Sequence, residues 1–128
     1  MTRITIISAA AFALVGLALP SLALAGGDAE AGQAVYLQNC SSCHGDGGKG
    51  DGPTGAALPV KPRDLSSTDY KFDTDGDGKA GTPADITNVI KKGAMAYGGS
   101  PLMAPLPQLT DQQIADIIAF IAVLQGQN

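Results

Sequence analysis

The chain's only two cysteines and its only histidine stand together in one short stretch. Cys40, Cys43 and His44 lie in "NCSSCHGDGGKGDGP", residues 39–53, and a glycine-rich run follows them. Thiol and imidazole groups are the side chains that form disulfides, hold metals and attach cofactors. The spacing C-x-x-C-H therefore concentrates all of the chain's cysteine and histidine chemistry at one turn.

Three kinds of site use such a spacing. A disulfide or redox pair between Cys40 and Cys43 leaves His44 without a role. A closed zinc site needs four cysteine or histidine ligands, and the chain has three. Covalent haem attachment uses all three, because residues three apart share a helical face and both sulfurs then reach one porphyrin. His44 would be an axial ligand of the iron. The pattern favours haem c.

The first residues have the pattern of an export signal. Arg3 gives a weakly basic start, an apolar run covers residues 4–19, and a small-x-small triplet ends at Ala25. A membrane anchor is the alternative, but the run is shorter than the ~20 residues that span a bilayer. We therefore expect a cleaved signal peptide over residues 1–25, a mature domain over residues 26–128, and a periplasmic location.

The charge balance limits the partners. The chain has eight basic and twelve acidic residues, and Arg3 is the only charged residue of the leader, so the mature domain carries a formal charge of −5. Nucleic acid needs a basic face, which this composition does not favour. We expect protein partners, no nucleic acid, and no stable membrane insertion of the mature chain.

Three helices are predicted from capping and periodicity. Asp28 caps a first helix that runs to about Cys40. Thr82 followed by proline caps a second, which ends at Gly93. Thr110 with Gln113 forms a capping box for the last helix. Its apolar stripe comprises Ile114, Ile117, Ile118, Ile121 and Leu124. Segments 45–65 and 94–109 are rich in glycine and proline and are predicted loops, so the fold class is all-α.

From "GDAEAGQAVYLQNCSSCHG" to "LTDQQIADIIAFIAVL" the chain resembles the class I, single-haem c-type cytochromes of the bacterial periplasm. The resemblance implies a small class I cytochrome c fold, with three to five helices wrapped around one covalently bound haem and long Gly/Pro-rich loops. It also implies a crossing of the first and last helices, with Gly32 and Tyr36 meeting Phe120.

The resemblance implies the sixth iron ligand as well. Met103, in "GSPLMAPLPQLT", stands where the family carries its distal methionine, although Ala104 separates it from Pro105 where the family usually has Met-Pro. Met95 is the alternative ligand. His44 and Met103 are therefore the expected axial pair.

Two further residues are expected near the haem. In the family, the carbonyl that accepts the N–H of the haem-ligating histidine often belongs to a Gly-Pro pair, and Gly52-Pro53 matches that pattern. Pro53 is thus the expected acceptor for His44. Arg63, in "KPRDL", is a candidate donor to a haem propionate, with a solvated surface arginine as the alternative.

One segment departs from the minimal family pattern. Asp73, Asp75 and Asp77 alternate and are followed by Gly78, which is the opening of a calcium loop. Position twelve of that loop is Ala84, and the nearest acid, Asp85, comes one residue late. Calcium therefore stays an open alternative to a polar turn.

The expected function follows from a closed coordination shell. A His/Met-ligated haem leaves no position for substrate, so the protein is expected to be an electron carrier and not an enzyme. The expected partners are redox proteins, a dehydrogenase and/or a terminal oxidase. The alternatives are a haem subunit or dedicated donor or acceptor of a larger oxidoreductase complex and, with less support, a gas or ligand sensor.

Overall fold

A computed structural model describes residues 26–127, and the predicted signal peptide, residues 1–25, lies outside them. The described residues form four α-helices and contain no strand. The helices are α1 (Ala29–Asn39), α2 (Ser41–His44), α3 (Pro83–Lys92) and α4 (Asp111–Leu124). Two short 3-10 turns, Gly55–Ala57 and Ala94–Tyr97, lie within the segments that were predicted to be loops. The all-α fold class is confirmed.

The helix N-termini begin where the sequence predicted. The Asp28 carboxylate accepts hydrogen bonds from the backbone N–H groups of Glu30 and Ala31, at 2.9 and 3.2 Å. Thr82 and Thr110 each form a capping box with the residue three positions later. Because each cap satisfies N–H groups that have no partner within the helix, these ends are fixed locally.

Helices α1 and α4 cross in close contact. Gly32 lies against the backbone of Asp116, where a Cβ atom would collide with the Asp116 carbonyl. One turn further on, the rings of Tyr36 and Phe120 pack with their centroids 5.1 Å apart, tilted by 57°. The predicted crossing is confirmed, and glycine at position 32 is what brings the two backbones together.

The core lies along this crossing and extends to α3. Its buried members are Tyr36, Ile90, Leu109, Ile114, Ile117, Phe120 and Ile121. Several of them also face a cavity on the side of the C-x-x-C-H turn. Within residues 26–127, no helix is both long enough and apolar enough to cross a membrane.

Candidate haem site

The C-x-x-C-H residues lie at the junction of α1 and α2. Cys40 ends α1, and the N–H of His44 donates to its carbonyl at 2.9 Å, so the sharp turn between the helices presents Cys40, Cys43 and His44 together. Both thiols are free and half-buried. Burial, with a smaller contribution from the Cys43 thiol, raises the pKa of the Cys40 thiol to about 11.

These residues line a cavity of about 600 Å³. Met103 lines the same cavity, and so do apolar side chains of α3 and α4: Ile86, Val89, Ile90, Ile117 and Ile121. The volume is in the range of cofactor sites, and most of the lining is apolar. A more open groove of about 710 Å³ runs between α3 and α4, and no cysteine, histidine or methionine lines it. The first cavity is therefore the one that fits a porphyrin.

Met103 and Met95 occupy different environments. Met103 is half-buried; its N–H donates to the Ser100 carbonyl at 3.3 Å, and its own carbonyl accepts from Ala94 at 3.0 Å. Met95 is 70% exposed and does not line the cavity. Of the two candidate methionines, only Met103 therefore lines the cavity that His44 also lines.

A backbone carbonyl orients the His44 ring. Nδ1 of His44 lies 2.9 Å from the carbonyl oxygen of Arg63, and since a carbonyl only accepts, Nδ1 carries the proton. Burial lowers the pKa of His44, and the bond to Arg63 opposes that effect. The neutral ring thus keeps the lone pair of Nε2 free for a metal, which is the arrangement that metal-bound histidines use.

The expectation that Pro53 supplies this carbonyl is wrong. Pro53 is exposed and follows Gly52, whose N–H donates back to the Cys43 carbonyl at 3.2 Å. The segment that reaches His44 comes later in the chain, because the N–H of Leu65 pairs with the Gly48 carbonyl at 2.6 Å. This pairing between two loops brings the Arg63 carbonyl to the imidazole.

The glycine-rich run serves this close approach of loops. Gly50 has a φ of +72°, and a Cβ atom there would collide with the carbonyl oxygen of Pro62. A residue with a side chain would therefore separate the loop after His44 from the segment that carries Arg63. The close approach that Gly50 permits is thus between two stretches of backbone.

The Arg63 side chain also belongs to the cavity. Its Nε is buried and has no hydrogen-bond partner among residues 26–127, and its guanidinium carbon lies 4.9 Å from the centre of the Tyr70 ring. A buried donor of this kind needs an acceptor, and a haem propionate is an anionic one. This fits the propionate role predicted for Arg63. The hydroxyl of Tyr97 is the other such atom, and Tyr97 does not line the cavity.

The aspartate-rich loop groups different residues from those predicted. Carboxylate oxygens of Asp73, Asp75 and Asp85 lie within 4.8 Å of one another, whereas the Asp77 carboxylate accepts from the N–H of Lys79 at 2.8 Å. Asp77 is therefore not part of this group. The Asp73 carboxylate accepts from three backbone N–H groups of its own loop. These bonds account for the Asp-Gly pattern as turn geometry, and calcium binding stays a prediction.

Asp85 is the residue that holds this loop to α3. It is 2% exposed, and its two oxygens accept four hydrogen bonds from Thr74 and Thr82, of 2.5 to 2.9 Å. Burial alone would raise the pKa of Asp85, but the bonds from Thr74 and Thr82 outweigh it and hold the pKa at about 2.

The Asp85→Ala variant is expected to lose about 2–3 kcal/mol of unfolding free energy, because it removes a cap and leaves several donors unpaired. Since the folded pKa of Asp85 is below the ordinary value of 3.8, its contribution should be complete above about pH 4 and disappear as the pH falls through 2. Urea melts against pH would measure both effects. Asp69→Ala is the control, since Asp69 is exposed and its carboxylate accepts no hydrogen bond within the described residues; equal losses in the two variants would contradict the prediction.

Sequence reasoning missed two side chains that shape the site. The buried hydroxyl of Tyr36 donates to the Gly45 carbonyl at 2.8 Å and so ties α1 to the residue after His44. Gln125, at the end of α4, donates to the loop that carries Arg63. Tyr36 had been assigned only to the helix crossing, and no pattern in the sequence singles out Gln125.

Comparisons with known proteins agree with this site. The family model described as Cytochrome c matches residues 29–125. A search of curated proteins found no match. A chain of the reducing HAO-like protein complex of Kuenenia stuttgartiensis is 32% identical with a TM-score of 0.62, over 76% of this chain and 42% of that one.

A chain of the sulfane dehydrogenase SoxCD from Paracoccus pantotrophus is 22% identical with a TM-score of 0.48, over 80% of this chain and 45% of that one. The present chain therefore spans less than half the length of either structure's chain. The family match covers all four helices in full and the whole C-x-x-C-H turn, which lies beside a cavity of suitable size. The chain belongs to the cytochrome c family and carries covalently bound haem c.

Proposed function

We propose that the protein is a periplasmic monohaem cytochrome c that carries single electrons between redox proteins, with His44 and Met103 as the axial ligands. One observation carries the proposal: both thiols, the imidazole with its Nδ1 proton engaged, and one half-buried methionine face a single cavity. When bound, the haem supplies a one-electron ferrous/ferric couple.

Each residue of the chain has a defined part. Cys40 and Cys43 hold the porphyrin through thioether bonds, and His44 donates its Nε2 lone pair to the iron. Met103 adds a soft, neutral thioether that favours the reduced metal. With both axial positions filled from the chain, no substrate reaches the metal. We therefore infer a carrier and not an enzyme.

The charges around the cavity indicate where electrons pass. Seven basic residues lie in the described part of the chain, and four of them line the cavity: Lys49, Lys61, Arg63 and Lys71. Only two of the twelve acids, Asp64 and Asp85, do so. Two large apolar residues of the lining, Val60 and Leu102, are 61% and 53% exposed. An acidic protein with one basic, partly apolar face favours partners whose docking surfaces are acidic, since opposite charges steer the encounter.

Reversing one charge at this face should slow electron transfer. Lys61→Glu is expected to reduce the rate of oxidation by hexacyanoferrate(III) several-fold more than Lys79→Glu, because Lys79 does not line the cavity. The two variants have the same net charge, so the difference reports position. It should shrink at high salt, where the screening length falls to about 3 Å. Stopped-flow measurements at two ionic strengths give the difference in rate between the two variants. Equal slowing by both variants would contradict electron transfer through the cavity face.

A second candidate function is a haem subunit of a larger oxidoreductase complex. The relative from Kuenenia stuttgartiensis, at 32% identity, is part of a complex, and its chain is more than twice as long as the matched segment. The two candidates differ in assembly. The native protein released from the periplasm should elute at the size of the single domain if it is a free carrier, with a dehydrogenase as donor and/or a terminal oxidase as acceptor. Elution with other chains at a stoichiometric ratio would favour the subunit.

A further inference from the structure

We propose that Gln125 is a positioning residue for the axial histidine. Through Tyr70 and the loop around it, the Gln125 amide holds the Arg63 carbonyl against His44, and this bond tunes the reduction potential. The inference rests on the proposed function in one respect, that His44 ligates the haem iron. It adds a residue that lies 81 positions from His44 in sequence and does not line the cavity.

The side-chain amide of Gln125 makes long-range contacts with a single loop. Its Nε2 lies 3.1 Å from the Leu65 carbonyl, 3.3 Å from the Ser67 carbonyl and 3.1 Å from the Tyr70 hydroxyl. These three acceptors are 55 to 60 residues away in sequence. An amide nitrogen has two protons, so at least one of them is shared. The group acts as a clamp on residues 65–70.

The clamped loop is the one that holds His44. The Tyr70 ring lies beneath the guanidinium of Arg63, at 4.9 Å, and the Arg63 carbonyl accepts from Nδ1 of His44 at 2.9 Å. The N–H of Leu65 is bound to the Gly48 carbonyl. The Arg63 side chain therefore packs on Tyr70, and the backbone that follows Arg63 is fixed by the hydrogen bond of Leu65. Gln125 contacts both Tyr70 and Leu65.

The other end of the clamp is a well-fixed element. Gln125 caps α4, and its N–H donates to the Ile121 carbonyl at 3.0 Å. Ile121 is 3% exposed in the core. The loop, by contrast, has no regular secondary structure between residues 58 and 82. The position of the Arg63 carbonyl therefore depends on contacts between this loop and better-ordered elements. Gln125 supplies hydrogen bonds of this kind from the end of α4.

The effect on the iron has a definite direction. A histidine that donates a good hydrogen bond from Nδ1 is a more basic ligand and favours ferric iron. Loosening the Arg63 carbonyl weakens that bond, so the reduction potential should rise. A residue that only joined α4 to a loop would change the melting temperature without changing the potential.

The test uses the full-length holoprotein with Gln125→Met. Methionine is unbranched and of similar length but has no N–H donor, and the substitution leaves the net charge unchanged. In the ferrous protein, NMR should show exchange of the His44 Nδ1 proton with solvent about fivefold faster, the factor that one net hydrogen bond is worth. The reduction potential should rise. Gln127→Met is the matched control: Gln127 is exposed and its side chain makes no hydrogen bond within residues 26–127, so neither quantity should change.

Tyr70→Phe gives an independent second variant. It keeps the ring beneath Arg63 and removes only the hydroxyl. Exchange of the His44 Nδ1 proton should again be faster and the reduction potential higher, both by less than in Gln125→Met. Unchanged proton exchange and potential in Gln125→Met, with a lowered melting temperature, would reduce Gln125 to a structural tie. If Gln125→Met does not fold, unchanged proton exchange and an unchanged reduction potential in Tyr70→Phe overturn the proposal. Axial ligation is checked separately by the methionine charge-transfer band of the native protein, so failure of the proposed function is distinguishable from failure of the clamp.

Discussion

Replacing Met103 by alanine is expected to open the sixth position of the iron and to lower the reduction potential. A thioether is a soft, neutral donor that favours ferrous iron, so its loss costs the reduced state more than the oxidised one. Axial ligands set haem potentials over a range of about 0.8 V, and exchange of methionine for water should use a sizeable part of it. Redox titration of the purified variant measures the shift, and carbon monoxide, which needs an open position, should bind rapidly.

Met95→Ala is the matched control for this experiment. Met95 lies eight residues earlier, is 70% exposed and does not line the cavity. The same substitution there should leave the potential and the response to carbon monoxide nearly unchanged. The reverse result, a large effect at Met95 and little at Met103, would show that the wrong methionine has been assigned.

Replacing Gly32 by alanine is expected to lower the free energy of unfolding by at least about 4 kcal/mol, which is most of the stability of the fold. Losses of this size are exceptional and occur when a core contact is broken outright. The added Cβ would collide with the carbonyl carbon and oxygen of Asp116, which are backbone atoms of α4. Neither helix has a flexible side chain to move aside at this point. The two helices would have to separate, which would also disturb the packing of Tyr36 on Phe120.

Gly47→Ala separates this steric effect from the general effect of losing a glycine. Nothing lies within 4 Å of a Cβ at position 47, and its φ is not in the left-handed region. We expect a change of about 0.5 kcal/mol or less there. Thermal and urea unfolding of the two holoproteins give the comparison. Similar small changes in both variants would mean that α1 and α4 do not cross as closely as described.

The parts of the fold that were predicted correctly are those that local chemistry determines. Asp28, Thr82 and Thr110 cap helices because each side chain satisfies N–H groups within its own first turn. The C-x-x-C-H turn is likewise contained in five consecutive residues. The crossing of α1 and α4 followed from the family resemblance, through Gly32 and the aromatic pair.

The parts that were missed depend on contacts between distant segments. The acceptor for His44 is a backbone carbonyl, which every residue has, so nothing in the sequence distinguishes Arg63 from Pro53 in this role. The choice depends on the pairing of Leu65 with Gly48, which joins two irregular loops. The calcium-loop pattern treats Asp85 as a displaced ligand. In the structure Asp85 is the N3 residue of the capping box of α3, and the carboxylate oxygens that calcium would need accept hydrogen bonds there.

The central claim is that His44 and Met103 close the coordination of one haem. The near-infrared spectrum of the native ferric protein tests it most directly, because a sulfur-to-iron charge-transfer band occurs only when a methionine thioether is bound to low-spin iron. We predict that this band is present and that the ferrous protein does not readily bind carbon monoxide. A high-spin spectrum without the band, together with rapid binding of carbon monoxide, would contradict the electron-carrier account.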